Sequence, residues 1–341
     1  MKKDAYIIEL KNRPFLLNAA SVVGKTESEG PLQSYFDIMY PDDGIMSKSW
    51  EEAESSLVHE AVETVLRKAE KNPSDINAVF GGDLLNQCTA TTFGVKKFGV
   101  PFAGLFGACS TFALGLVLSG LAVDGGYAQS CIAVASSHFC SAEKQFRYPL
   151  EYGGQRAQTT QRTVTGAGAC IVSSEYAKVR MEKVMIGKVQ DLNIKDPANM
   201  GAAMAPAAYV TISDFLKQTG TLPEEYDMIL TGDLGQIGSD LLCRLMKEND
   251  GIDISKKHYD CGTMIYDRFA QDVHAGGSGC GCSAAVVCSE IYRELRDGKL
   301  RKVLFAGTGA LMSPLSSMQK ESIPGIAHAV LLTSEEENEK C

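Results

Sequence analysis

At 341 residues the chain is too long for one small core and suits two domains of ordinary size. Its 45% hydrophobic and 22% charged content is the mix of a compact globular protein, and a formal net charge of -9 argues against a nucleic-acid binder, which needs a clustered basic surface. The 11 cysteines lie in apolar runs such as S-C-I-A-V-A and A-C-I-V-S, where Cys packs as a small hydrophobe. No basic leader with an apolar core opens the chain, so the thiols are expected to stay reduced in a cytosol-like compartment. No apolar stretch reaches the 18 or so residues of a membrane helix, and any membrane association is expected to be peripheral.

In chain order, Ser49 is placed to cap a helix running to about residue 71, with Glu52 completing a capping box and Pro73 ending it. Residues 76–83, I-N-A-V-F-G-G-D, read as a buried strand ending in Gly-Asp. From Gly107 a glycine turn leads into the apolar helix G-A-C-S-T-F-A-L-G-L-V-L-S-G-L-A-V-D-G-G, followed by the strand C-I-A-V-A-S-S-H and a closing strand at 165–174. The second half repeats this series. Residues 227–233, D-M-I-L-T-G-D, match the first Gly-Asp strand, with Asp83 and Asp233 in equivalent places. The helix from Gly277, the strand K-V-L-F-A-G-T-G and the strand at 326–334 then follow in the same order. A further helix is expected over 197–218, kinked at Pro206. Four matches in one order indicate duplication, with halves at 1–180 and 181–341, and alternating strands and helices indicate an α/β fold with parallel pairing.

Cys109 is the sharpest candidate for chemistry. It stands where the first-half apolar helix opens, and the positive end of the helix dipole is expected to lower its pKa and favour thiolate. A cysteine nucleophile needs a base within reach, and His138, His258 and His274 fall at strand ends or in loops. His59 reads as a solvated helix position and His328 as strand packing. Arg147, Arg156 and Arg162 form a donor-rich run suited to a multiply charged carboxylate. The glycines at 276–281 are not followed by Lys-Ser/Thr, so they are no phosphate loop, and no cysteine spacing suggests a metal site.

The duplicated halves, G-A-C-S-T, V-T-G-A-G-A-C-I-V and F-A-G-T-G-A-L-M together resemble the thiolase superfamily, which includes the β-ketoacyl-ACP synthases. Within it, G-G-D-L-L-N-Q, A-S-S-H-F-C-S-A-E-K-Q-F-R-Y-P-L-E-Y-G, T-G-D-L-G and A-G-G-S-G-C-G-C-S-A resemble a stage V sporulation family. The resemblance implies a thiolase-like fold of two pseudo-equivalent halves in α-β-α-β-α layers. It implies binding of dipicolinic acid, free or as its calcium chelate, by a non-catalytic component of the apparatus that takes it into the developing spore. Membrane-embedded subunits of that apparatus, and a second copy of the chain, are the implied partners. The implied location is the cytoplasmic side of the forespore inner membrane. No cofactor is implied.

Cys109 falls at the nucleophile position of the condensing enzymes, which makes acyl transfer through Cys109 the competing reading. Yet Thr231 to Gly235, T-G-D-L-G, stands where a synthase carries its histidine, and Gly277 where it carries its asparagine. The expected ligand pocket lies between the halves beside Cys109, lined by Ser137, His138, Asp233, Asp260, Ser278 and Thr308. Ser137 and Thr308 are expected at matching places on opposite walls, and Asp233 or Asp260 would add hard oxygen contacts to a calcium chelate.

Overall fold

The computed structural model describes residues 6–146 and 157–335. Ten strands form the main path of one sheet. The first half supplies β1 (Phe15–Val23), β2 (Ala78–Gly82), β3 (Phe102–Gly104), β4 (Ser130–Ser137) and β5 (Gly166–Ser173). The second supplies β6 (Val179–Met185), β7 (Met228–Thr231), β8 (His258–Asp260), β9 (Lys302–Ala310) and β10 (Gly325–Ser334). Their spatial order is β3-β2-β4-β5-β1-β6-β10-β9-β7-β8. Each half therefore runs third, second, fourth, fifth, first, and the halves meet at their first strands.

Pairing repeats as well. β2 is parallel to β3 and β4, and β5 runs antiparallel to β4 and β1. β7 is parallel to β8 and β9, and β10 runs antiparallel to β9 and β6. β4 and β5 are buried along their whole length, as strands covered on both faces must be. The duplication inferred from four sequence matches thus extends to topology and strand direction.

Helices complete the layers. α1 (Trp50–Lys68) lies on β1, β4 and β5, and its counterpart α4 (Met200–Thr219) lies on β9 and β10. Between the two halves of the sheet run α2 (Thr111–Asp124) and α6 (Cys280–Val286), the latter continuing through a π-helical turn to Arg296. α2 touches β2, β4 and β5 on one side and β9 and β10 on the other. Among the described residues no helix is long and apolar enough to cross a membrane.

Local expectations need adjustment at two places. Ser49 does cap α1, its hydroxyl accepting from Glu52 N at 3.1 Å, but the Glu52 carboxylate turns back to Lys48 N rather than to Ser49. α1 also stops at Lys68, well before Pro73, because Glu70 adopts a left-handed φ of 53°. Pro73 instead opens a short 3-10 turn. α4 runs unbroken through Pro206, with Asn199 capping it through Ala202 N.

Candidate functional site

Cys109 does not open α2; it stands two residues ahead of it, in a turn. Ala108 has φ 49°, a left-handed value that costs a non-glycine residue conformational energy. The turn is closed by its own polar side chains: Ser110 Oγ donates to Gly107 O at 2.6 Å, and Thr111 Oγ1 to Ala108 O at 2.7 Å. It rests on β9 of the other half. A Cβ on Gly309 would stand 2.4 Å from Gly107 O, so only glycine admits that approach.

The second half brings Asp233 to the sulfur. The Asp233 carboxylate lies beside the Cys109 sulfur and accepts from Gly279 N at 2.9 Å and Thr308 Oγ1 at 2.8 Å. Burial pushes the Asp233 carboxyl up to about 6 despite those donors. The Cys109 thiol is raised well above its ordinary value, by burial first and then by the Asp233 charge and the neighbouring Cys280. This corrects the expectation of a thiolate. The helix dipole is a partial charge at the end of α2, whereas desolvation and a carboxylate act directly on the sulfur.

A pocket opens over Cys109. Its walls are mainly apolar, including Leu84, Phe106 and Phe146 from the first half and Met200 and Met312 from the second. Of the other expected lining residues, Ser278 faces it, and its hydroxyl has no hydrogen-bond partner among the described residues. Thr163 and Glu143 line it too, and neither was expected.

The remaining expected residues serve the wall rather than the opening. Thr308 stands behind Asp233, accepting from its N–H and donating to its carboxylate. Ser137 Oγ donates to Val164 O at 2.7 Å and accepts from Gly281 N. His138 Nε2 lies 2.7 Å from Asp43 O, its ring near Trp50, and burial lowers its pKa. Asp260 accepts from Thr231 Oγ1, Leu234 N, Gly235 N and Thr263 N, tying the ends of two helices together. Burial raises it to about 7. The strand registers also shift one pairing. Thr231 lies beside Ala306 and Gly82 beside Ala135, so the first-half counterpart of Thr308 is Ser136, not Ser137.

Every histidine ring is engaged away from the sulfur. His258 Nε2 meets Thr231 Oγ1 at 2.9 Å, His274 pairs with Asp272, and His328 Nδ1 accepts from Gly187 N. His59 is half-buried and stacked on Phe98 rather than solvated, because the segment around Gly94 packs against α1. Of the arginine run, Arg147 and Arg156 lie outside the described residues. Arg162 lies over the Phe139 ring and donates to Thr26 Oγ1.

A residue that carried no sequence signal holds the site together. Gln161, buried at 2% exposure, donates its amide to Asp233 O and to Gly277 O, both at 2.7 Å. It precedes the strand Arg162–Thr163, which pairs in parallel with Gly277–Ser278 across the two halves.

With this geometry in view, comparisons place the chain among known proteins. The stage V sporulation protein AD family profile matches residues 4–333. Stage V sporulation protein AD of Bacillus subtilis strain 168 is 45% identical over 330 residues, 96% of each chain. Among solved structures, 3-oxoacyl-[acyl-carrier-protein] synthase III from Aquifex aeolicus VF5 superposes with a TM-score of 0.57 at 13% identity, over 94% of this chain and 99% of that one. Cerulenin-bound OleA of Xanthomonas campestris gives 0.58 at 15% identity, over 94% and 96%. At such identities these two likenesses establish the thiolase-like fold.

Proposed function

The chain belongs to the stage V sporulation protein AD family, and from that premise we propose that its pocket binds dipicolinic acid for uptake into the developing spore. The observation that carries the proposal is the partner of Cys109. A condensing enzyme needs a thiolate and nitrogen donors that steer decarboxylation, whereas this sulfur keeps its proton against a buried aspartate. What remains is a narrow apolar slot with a few polar groups at its base, the general form of a small-ligand site. A flat aromatic diacid would lay its ring against the apolar walls and offer a carboxylate to Ser278. Glu143 lines the same pocket, and a calcium chelate, whose ion offsets the charge of the ligand, would suit such a wall better than the free dianion.

In this reading the protein acts as the binding component of a transport apparatus. It sits peripherally on the cytoplasmic side of the forespore inner membrane, works with membrane-embedded subunits, and can pair with a second copy of itself. Acyl transfer through Cys109 is disfavoured by the protonated thiol. The test is thermal: dipicolinate, with and without calcium, should raise the melting temperature, by about 2.7 kcal/mol of stability at a hundred times the dissociation constant. No shift with either form, or steady turnover of acyl thioesters with malonyl carriers, overturns the reading.

A further inference from the structure

We propose that Gln161 is the positioning residue of the pocket, holding Asp233 and Ser278 in place around Cys109 by bracing the two second-half loops that carry them. The proposal rests on reading that pocket as the ligand site, and its main readout is independent of the ligand.

Both groups that Gln161 Nε2 meets are backbone carbonyls, Asp233 O and Gly277 O, so the amide must present its NH2 to them. That orientation leaves Oε1 buried without a hydrogen-bond partner among the described residues. A side chain that merely filled space would carry no such unsatisfied acceptor. The two donor bonds join the loop after β7 to the loop before α6, and through them the residue beside the sulfur to the residue facing the pocket.

The surroundings are built for this amide. α5 (Gly235–Asp250) begins at a glycine with φ 62°, where a Cβ would stand 2.2 Å from Ala275 O and 2.9 Å from Gln161 Nε2. The backbone that follows Gln161 is fixed from the other half, Arg162 N donating to Gly276 O and Val164 N to Ser278 O, both at 2.9 Å. Gln161 therefore enters the second half from a rigid ladder and holds Asp233 by its backbone carbonyl, while Gly279 N and Thr308 hold its carboxylate.

The test uses the full chain with Gln161→Leu and Gln161→Asn. Alkylation of Cys109 by iodoacetamide is followed across pH by peptide mapping, beside dipicolinate calorimetry and melting. Released from Gln161, Asp233 withdraws from the thiol, which then ionises more readily. In folded Gln161→Leu, Cys109 alkylation at pH 8 should rise about tenfold, the change that one pH unit in thiol ionisation produces. Gln161→Asn, one bond shorter and able to reach one carbonyl, should fall between the two. Dipicolinate affinity should drop by a similar factor. Parent-like alkylation in a folded Gln161→Leu protein overturns the proposal. So does global unfolding of both variants, which would make Gln161 a structural residue only. Should the parent fail to bind dipicolinate, the ligand reading falls while alkylation still decides the role of Gln161.

Discussion

Cys109 and Asp233 come from opposite halves of the chain and stand side by side, the carboxylate next to the sulfur. Each group therefore sets the protonation of the other. Burial keeps the sulfur neutral and the carboxylate adds to it, while the thiol, Gly279 N and Thr308 together offset the burial of Asp233.

Alkylation kinetics should report this pairing. Cys109 should react slowly at pH 8, with a midpoint above that of a free thiol. Asp233→Asn removes the charge that raises it, so the midpoint should fall and the rate at pH 8 rise by about tenfold or more. An unchanged profile in a folded Asp233→Asn protein would mean that burial alone governs the sulfur.

Pocket substitutions should separate lining from wall. Ala142 faces the opening, and Ala142→Leu should occupy it, costing at least about tenfold in dipicolinate affinity with little change in melting. Ser278→Ala should cost about 1.5–3 kcal/mol of binding, as loss of a hydrogen bond to a charged group does. Ser137→Ala and Asp260→Ala remove hydrogen bonds internal to the wall, so their effect should appear first in melting temperature. Calorimetry beside melting curves distinguishes the two classes.

Stability should decline as pH rises from about 5 to about 8. Burial raises Asp233 to about 6, and Asp260 and Glu27 to about 7. These acids hold protons in the folded chain that the unfolded chain has released. Their contribution is complete below about pH 4 and is lost as pH climbs through 6 to 7, at about 1.4 kcal/mol per proton per pH unit. His258 and His328, lowered to about 4 by burial, act in the opposite sense: their contribution is present above about 6.5 and lost as pH falls. The acids outnumber them. Glu27, held by Tyr266 and by Thr165 N, gives the cleanest probe, and Glu27→Gln should flatten the profile between about pH 5 and 7. A melting temperature that rises from pH 5.5 to 8 would contradict this account.

Ala108 occupies a left-handed position without being glycine. Ala108→Gly should leave the turn unchanged and stabilise the protein by up to about 1 kcal/mol, where the same change inside a helix would cost about that much. Chemical denaturation decides the sign.

Much of the fold was legible because its strands are buried and bounded by glycines. The two Gly-Asp strand ends and the two glycine-led inner helices already showed the repeat. β6 was less legible, since V-R-M-E-K-V-M alternates charge with apolar residues at a seam between halves. Cys109 was found by its place in the chain, but its protonation was misjudged. Asp233 lies 124 positions away in the sequence, and no local pattern announces that it will reach the sulfur. His138 looked like a site residue because it sits at a strand end and Asp260 because a calcium chelate would want its oxygens, yet turns and helix ends there also need polar partners. Gln161 lies in a run of polar residues and carried no signal, because its role depends entirely on two carbonyls from the other half.

The inner helix α2 belongs to the first half, and its burial is completed by the second. The apolar cluster that takes in Phe112, Leu116 and Val117 also takes in Phe305, Val330 and Leu332. Neither half can close its interior alone, so unfolding should be a single cooperative event with no half-melted plateau in calorimetry. For the same reason, a chain cut between Ser174 and Lys178 should stay associated, the two fragments assembling as partners of one another. Backbone continuity at that junction then serves stoichiometry more than architecture: it guarantees one copy of each half in every molecule.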